Sequence, residues 1–176
     1  MGLATGPGLV DESRRGAGTS SWPLSRLLAG FEGGAASRVR EILNAFTVDV
    51  EDYFQVTAFE RTISRSAWSG FELRVVGNTQ RLLDLLARHD VQGTFFVLGW
   101  VADKCPQLVR QIVAAGHEIG SHSYWHRLVY ETTPAEFRED LRRSIGTIED
   151  AAGVRVTHYP APSFSITRRS RWALEI

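Results

Sequence analysis

Thr94-Phe95-Phe96-Val97-Leu98, then Pro106 to Ala115, then His117-Glu118-Ile119-Gly120-Ser121: the fold is read from this stretch. Its first segment is a nearly unbroken apolar run of aromatic and β-branched residues, the mark of a strand covered on both faces in a parallel sheet. The second carries Leu108, Ile112 and Val113 at helical spacing, with Gly116 placed as a C-cap. The third is a short strand. Strand, helix and strand in this order predict a βαβ unit with a right-handed crossover.

The same alternation extends on both sides. Upstream, Ile42 to Val50 reads as a first strand. Asn78 to His89 reads as a helix, with leucines at 82, 83, 85 and 86 on its packed face and Asn78 as its cap. Downstream, Thr133-Pro134-Ala135-Glu136 is a capping box with proline at the first helical position. Phe137, Leu141, Ile145 and Ile148 then recur at helical spacing as far as Gly153. Val154 to Tyr159 is expected to form a further strand, and Thr167 to Ile176 to begin another helix. Four βα units with a parallel sheet place the chain in the α/β class. They are too few to close a barrel of seven or eight strands, and the last helix stops uncapped at Ile176. The expectation is a fragment of a longer domain.

Composition narrows the function. The chain has 176 residues, 43% of them hydrophobic, which suits one globular domain. Twenty basic residues balance twenty acidic ones, so there is no electrostatic footprint for nucleic acid or an anionic membrane. No apolar run approaches the roughly 20 residues of a membrane span. The single cysteine, Cys105, excludes an intrachain disulfide and a cysteine-rich zinc cage. It reads as an ordinary thiol. Half of the 16 glycines fall within the first 44 residues, among Ser, Ala and Arg. Residues 1–43 are therefore expected to be a weakly ordered extension, with the domain over 44–176. Arg14-Arg15 is followed by Gly16-Ala17-Gly18-Thr19-Ser20-Ser21 rather than an apolar core, which points to a cytoplasmic chain rather than an exported one.

Three constellations carry chemistry. Asp49-Val50-Glu51-Asp52 puts three carboxylates at the end of the first strand, where α/β folds gather their sites. Such crowding calls either for a cation or for a solvated acidic turn. His122 and His126, four apart after the third strand, can aim two imidazoles at one ion, and the acidic cluster follows a strand of the same sheet. Tyr159-Pro160-Ala161-Pro162-Ser163-Phe164 is stiffened by two prolines and reads as a rigid loop. Trp125 can either stack on a ligand's flat face or wedge its loop, and Tyr53 and Phe54 can border a groove or pack in the core.

The order of these motifs resembles the polysaccharide deacetylase family, which includes the chitooligosaccharide deacetylases of nodulation-factor synthesis. The resemblance covers roughly residues 44–176 and is most specific over 93–126. Asp-Val-Glu-Asp-Tyr-Phe and Ala-Pro-Ser-Phe-Ser-Ile-Thr further resemble a branch found in exosortase-linked exopolysaccharide loci. The resemblance implies a distorted (β/α) barrel, incomplete in this chain, that holds one divalent metal ion, usually Zn2+. It also implies hydrolysis of N-acetyl groups from N-acetylhexosamines, with an acetylated glycan as substrate. By residue, Asp49 matches the catalytic base, and His122 and His126 match the metal-binding histidines. Glu51 matches the carboxylate ligand of a variant pattern, with Asp52 as the alternative. Tyr159, Ala161 and Pro162 match the loop lining the substrate groove, and Trp125 stands beside it. Pro160 occupies the place of an arginine that orients the base in many members. The family's general acid comes from a motif beyond Ile176. A non-catalytic relative and a truncated product are the other readings.

Overall fold

The structure, a computed structural model, describes residues 44–176. The expected extension over 1–43 lies outside the described residues. Three parallel strands form one sheet in the order β1 (Thr47–Val50), β2 (Thr94–Val97), β3 (Glu118–Ser121). Among the described residues four α-helices accompany them: α1 (Val75–Arg88), α2 (Gly99–Lys104), α3 (Pro106–Ala114) and α4 (Pro134–Ala152). The chain is thus α/β with a parallel sheet, in the alternating order that the apolar pattern predicts. No helix among the described residues is long and apolar enough to cross a membrane.

The register fixes where chemistry can happen. Asp49 pairs with Phe96, and Phe96 with Gly120; Val50 pairs with Val97, and Val97 with Ser121. All three strands therefore end on one level, and Glu51, Leu98 and His122 follow them side by side. Side chains alternate along a strand, so Asp49 and Glu51 share one face while Val50 takes the other. Val50 is buried in the core with Phe95, Val97 and Leu98. Fully burying one such apolar side chain stabilises the fold by about 1.5–3 kcal/mol.

Helix ends follow the sequence signals closely in two cases. Thr133 Oγ1 accepts from the Glu136 amide and the Glu136 carboxylate accepts from the Thr133 amide, completing the capping box of α4. Gly153 ends the same helix at φ 70°, a conformation that disfavours any side chain with a Cβ. Thr133→Ala should lower stability by about 1 kcal/mol in urea denaturation. An unchanged midpoint would mean the cap contributes nothing.

Three expectations are corrected and one element is new. The helix expected to start at Asn78 begins at Val75, and its cap comes from elsewhere in the chain. Asp52 Oδ2 accepts from the amides of Arg74 (2.7 Å) and Val75 (3.0 Å). The segment Val154 to Tyr159 forms no strand: its bond to the sheet is a single one, from Ser121 N to His158 O at 2.9 Å. Pro160 has no N–H to extend such a ladder. Helix α2 is an addition: Gly99–Lys104 directly follows β2 and breaks at Cys105 before Pro106 starts α3. Arg168–Glu175 is a 3-10 helix interrupted at Ser170 rather than the start of an α-helix.

Candidate metal and catalytic centre

Strand ends and one short loop bring the candidate residues together. Glu51, His122 and His126 each offer a ligand atom, and these atoms lie within 4.8 Å of one another. The two imidazole centroids are 5.2 Å apart. Asp49 Oδ1 stands 3.7 Å from His122 Nδ1, and its side chain is half exposed. A pocket of about 240 Å³ opens here, with Asp49, Glu51, His122 and His126 on its polar side. Ala161, Ser163 and Phe164 also line it.

The electrostatics favour a cation. Burial, and then the neighbouring Asp49 charge, push the Glu51 carboxyl up to about 7. Burial, helped by His122, pushes His126 down to about 4. Burial also lowers His122, against the opposing pull of Asp49 and of the Pro160 carbonyl. His126 Nε2 and Glu51 Oε2 approach to 3.1 Å, and burial moves each group toward its neutral form. Glu51 Oε2 and His122 Nδ1 are buried without any hydrogen-bond partner. Unpaired buried polar atoms are costly. Two neutral imidazoles and a carboxylate with free lone pairs turned to one point are a donor set that a divalent ion fits.

The loop carrying both histidines is bound on two sides. On one side, the amides of Gly99 and Trp100 at the start of α2 donate to the carbonyls of Ser123 (2.8 Å) and Tyr124 (3.3 Å). On the other, Ser144 Oγ of α4 donates to the Ser123 carbonyl at 3.0 Å. Close approach at this point demands glycine. A Cβ on Gly99 would sit 2.7 Å from Tyr124 Cδ2 and 2.9 Å from Ser144 Cα. Gly99→Ala should therefore destabilise the chain by about 1–3 kcal/mol, through overpacking. A denaturation midpoint equal to that of the native chain would count against this packing.

Several sequence candidates stand elsewhere. Asp52 is not in the ligand group: its carboxylate is occupied by the amides of Tyr53, Arg74 and Val75. Tyr159 packs edge-on against Phe137 at 5.6 Å, and burial pushes its phenol up. Pro162 is buried, and Ala161 alone of the three predicted loop residues lines the pocket. Trp125 wedges against Tyr124 (4.8 Å) and Trp68 (5.8 Å). Phe54 is core, stacked on Phe71 at 5.1 Å, and Tyr53 lies under the Arg74 guanidinium.

Two pocket residues escaped the sequence reading. Thr57 Oγ1 lies 2.8 Å from Ser163 Oγ and 3.5 Å from His126 Nδ1, joining the stiff loop to a histidine. Nothing in its local sequence marks it. Phe164 is almost wholly exposed at φ 54°, and Ser163 before it has φ 50°. The alternating prolines signalled a rigid loop there but not which side chain it presents.

Comparison with known proteins points to one family. Residues 60–175 match the family model described as polysaccharide deacetylase. A peptidoglycan-N-acetylglucosamine deacetylase of Bacillus cereus is 33% identical over 98 residues, which are 55% of this chain and 36% of that protein. The crystal structure of a peptidoglycan N-acetylglucosamine deacetylase superposes with a TM-score of 0.57 at 26% identity, over 74% of this chain and 51% of the other. A carbohydrate esterase family 4 pseudoenzyme from Bacillus anthracis gives a TM-score of 0.51 at 30% identity, over 55% and 34%. The chain spans about a third of the length of the curated relatives it matches.

Proposed function

This chain belongs to the polysaccharide deacetylase family, and we propose that it hydrolyses N-acetyl groups on N-acetylhexosamine units of a glycan. Glu51, His122 and His126 would hold one divalent ion, Zn2+ in this reading, because imidazole and carboxylate donors suit it. Asp49 is read as the base, and residues 44–176 as part of the family's domain. The observation that carries the proposal is the pair of orphaned buried atoms, Glu51 Oε2 and His122 Nδ1, beside the half-exposed Asp49 carboxylate.

When bound, the ion supplies Lewis acidity that polarises the acetamide carbonyl and makes water a nucleophile near neutral pH. The protein's own groups do the rest. The pocket of about 240 Å³ admits the acetamido group, and Ala161 and Phe164 line it together with the carboxylates. Asp49 accepts a proton from the attacking water as the new C–O bond forms. The C–N bond then breaks, the nitrogen takes up a proton, and acetate and a free amine are released.

The test is acetate and amine release from an acetylated chitooligosaccharide by the full chain, with Zn2+ added and then removed by a chelator. Equal amounts of both products, abolished by the chelator and restored by Zn2+, are expected. Tight ion binding without acetate release would overturn the catalytic reading. Glycan binding alone would favour the second reading, a non-catalytic relative, which the likeness to a pseudoenzyme supports.

A further inference from the structure

We propose that Asp140, on α4, is a positioning residue that sets the spacing of His122 and His126. This rests on the reading of those histidines as metal-binding. Asp140 touches neither of them. Its carboxylate instead gathers the donors of the three residues between them. Oδ2 accepts from Ser123 Oγ at 2.6 Å and from the Tyr124 amide at 2.8 Å, and Oδ1 accepts from the Trp125 amide at 3.2 Å.

The loop needs such a clamp. Ser123 and His126 both have left-handed backbones, at φ 69° and 53°, which residues with a Cβ adopt only where their surroundings fix them. These two turns point both imidazoles into one pocket. The carbonyls of Ser123 and Tyr124 are taken by α2, so the amides on the other side are the remaining handle. One turn along the same helix face, the Arg143 guanidinium lies 3.7 Å over the Tyr124 ring and donates to its hydroxyl at 2.9 Å. Together, Asp140 and Arg143 hold the backbone and the side chains of the segment between the histidines.

Asn at position 140 keeps the size but turns an NH2 group toward donors. The test is titration of the full chain with Co2+, following affinity and the visible spectrum. Asp140→Asn is compared with Thr133→Ala, which loosens the same helix at its cap and touches nothing in the loop. Asp140→Asn should weaken Co2+ binding about 10–100-fold and alter the spectrum. Thr133→Ala should leave both at native values although it is less stable. Native affinity and spectrum in a folded Asp140→Asn chain, while the native chain binds Co2+, overturn this inference alone. Absence of Co2+ binding by the native chain overturns it together with the metal reading. Should Asp140→Asn fail to fold, Ser123→Ala removes the shortest of the three bonds, together with a long one of 3.4 Å from the Arg127 amide. It should lose several-fold in affinity, and native affinity there overturns the inference equally.

Discussion

His122→Ala and His126→Ala are each expected to abolish stoichiometric binding of a divalent ion. The native chain should retain about one ion after dialysis, measured as metal content per chain. Each variant should retain essentially none, a loss in affinity of at least about 100-fold. The size follows from the donor set. Three ligand atoms, from Glu51, His122 and His126, lie together, and removing one leaves two. Loss of a mere supporting partner already costs about 10–100-fold. Both histidines are almost fully buried, so alanine also leaves a cavity. His122→Gln, which fills more of the space, separates the two effects. It should fold close to the native stability and still fail to hold the ion. Full metal content in both alanine variants would rule out these residues as the binding group.

Much of this arrangement was legible in the sequence because its causes are local. The run from Thr94 to Leu98, the capping box at Thr133 and the glycine at 153 each act within a few residues, and each lies where the pattern put it. The histidine pair and the acidic cluster were expected at neighbouring strand ends, with Glu51 singled out only by the family resemblance. Alternation along β1 puts Asp49 and Glu51 on one face, and the parallel register brings the strand ends level. What was hidden depends on contacts distant in the chain. Asp52 stood as the alternative to Glu51 because its partners, the amides of Arg74 and Val75, are 22 and 23 residues away. Asp140 lies in the polar run Arg138-Glu139-Asp140, which reads as a solvated helix face. Nothing in that run shows that the third member faces a loop. The expected strand at Val154 to Tyr159 failed in the same way. Its β-branched residues favour extension, but pairing needs a ladder, and one bond from Ser121 N is not one.

Asp49→Asn is the sharpest test of the catalytic reading, because it should remove activity and leave nearly everything else. The expected loss in kcat for acetate release is about 10²–10⁴-fold, the usual contribution of a positioned general base. Asparagine matches aspartate in shape, and the side chain is half exposed with no hydrogen bond that the fold depends on. Thermal stability should therefore be unchanged. Metal content should be unchanged as well, since Asp49 lies outside the group formed by Glu51, His122 and His126. The contrast with Glu51 is what makes the assignment specific. Both carboxylates project from the same face of β1, two residues apart. Glu51 is mostly buried, while the Asp49 side chain is half exposed to solvent. Glu51→Gln should accordingly lose the ion and the activity together, whereas Asp49→Asn should lose only the activity. Equal metal content with an undiminished rate in Asp49→Asn would remove Asp49 from the reaction. It would leave the ligand group without a base among the residues that the sequence motif selects.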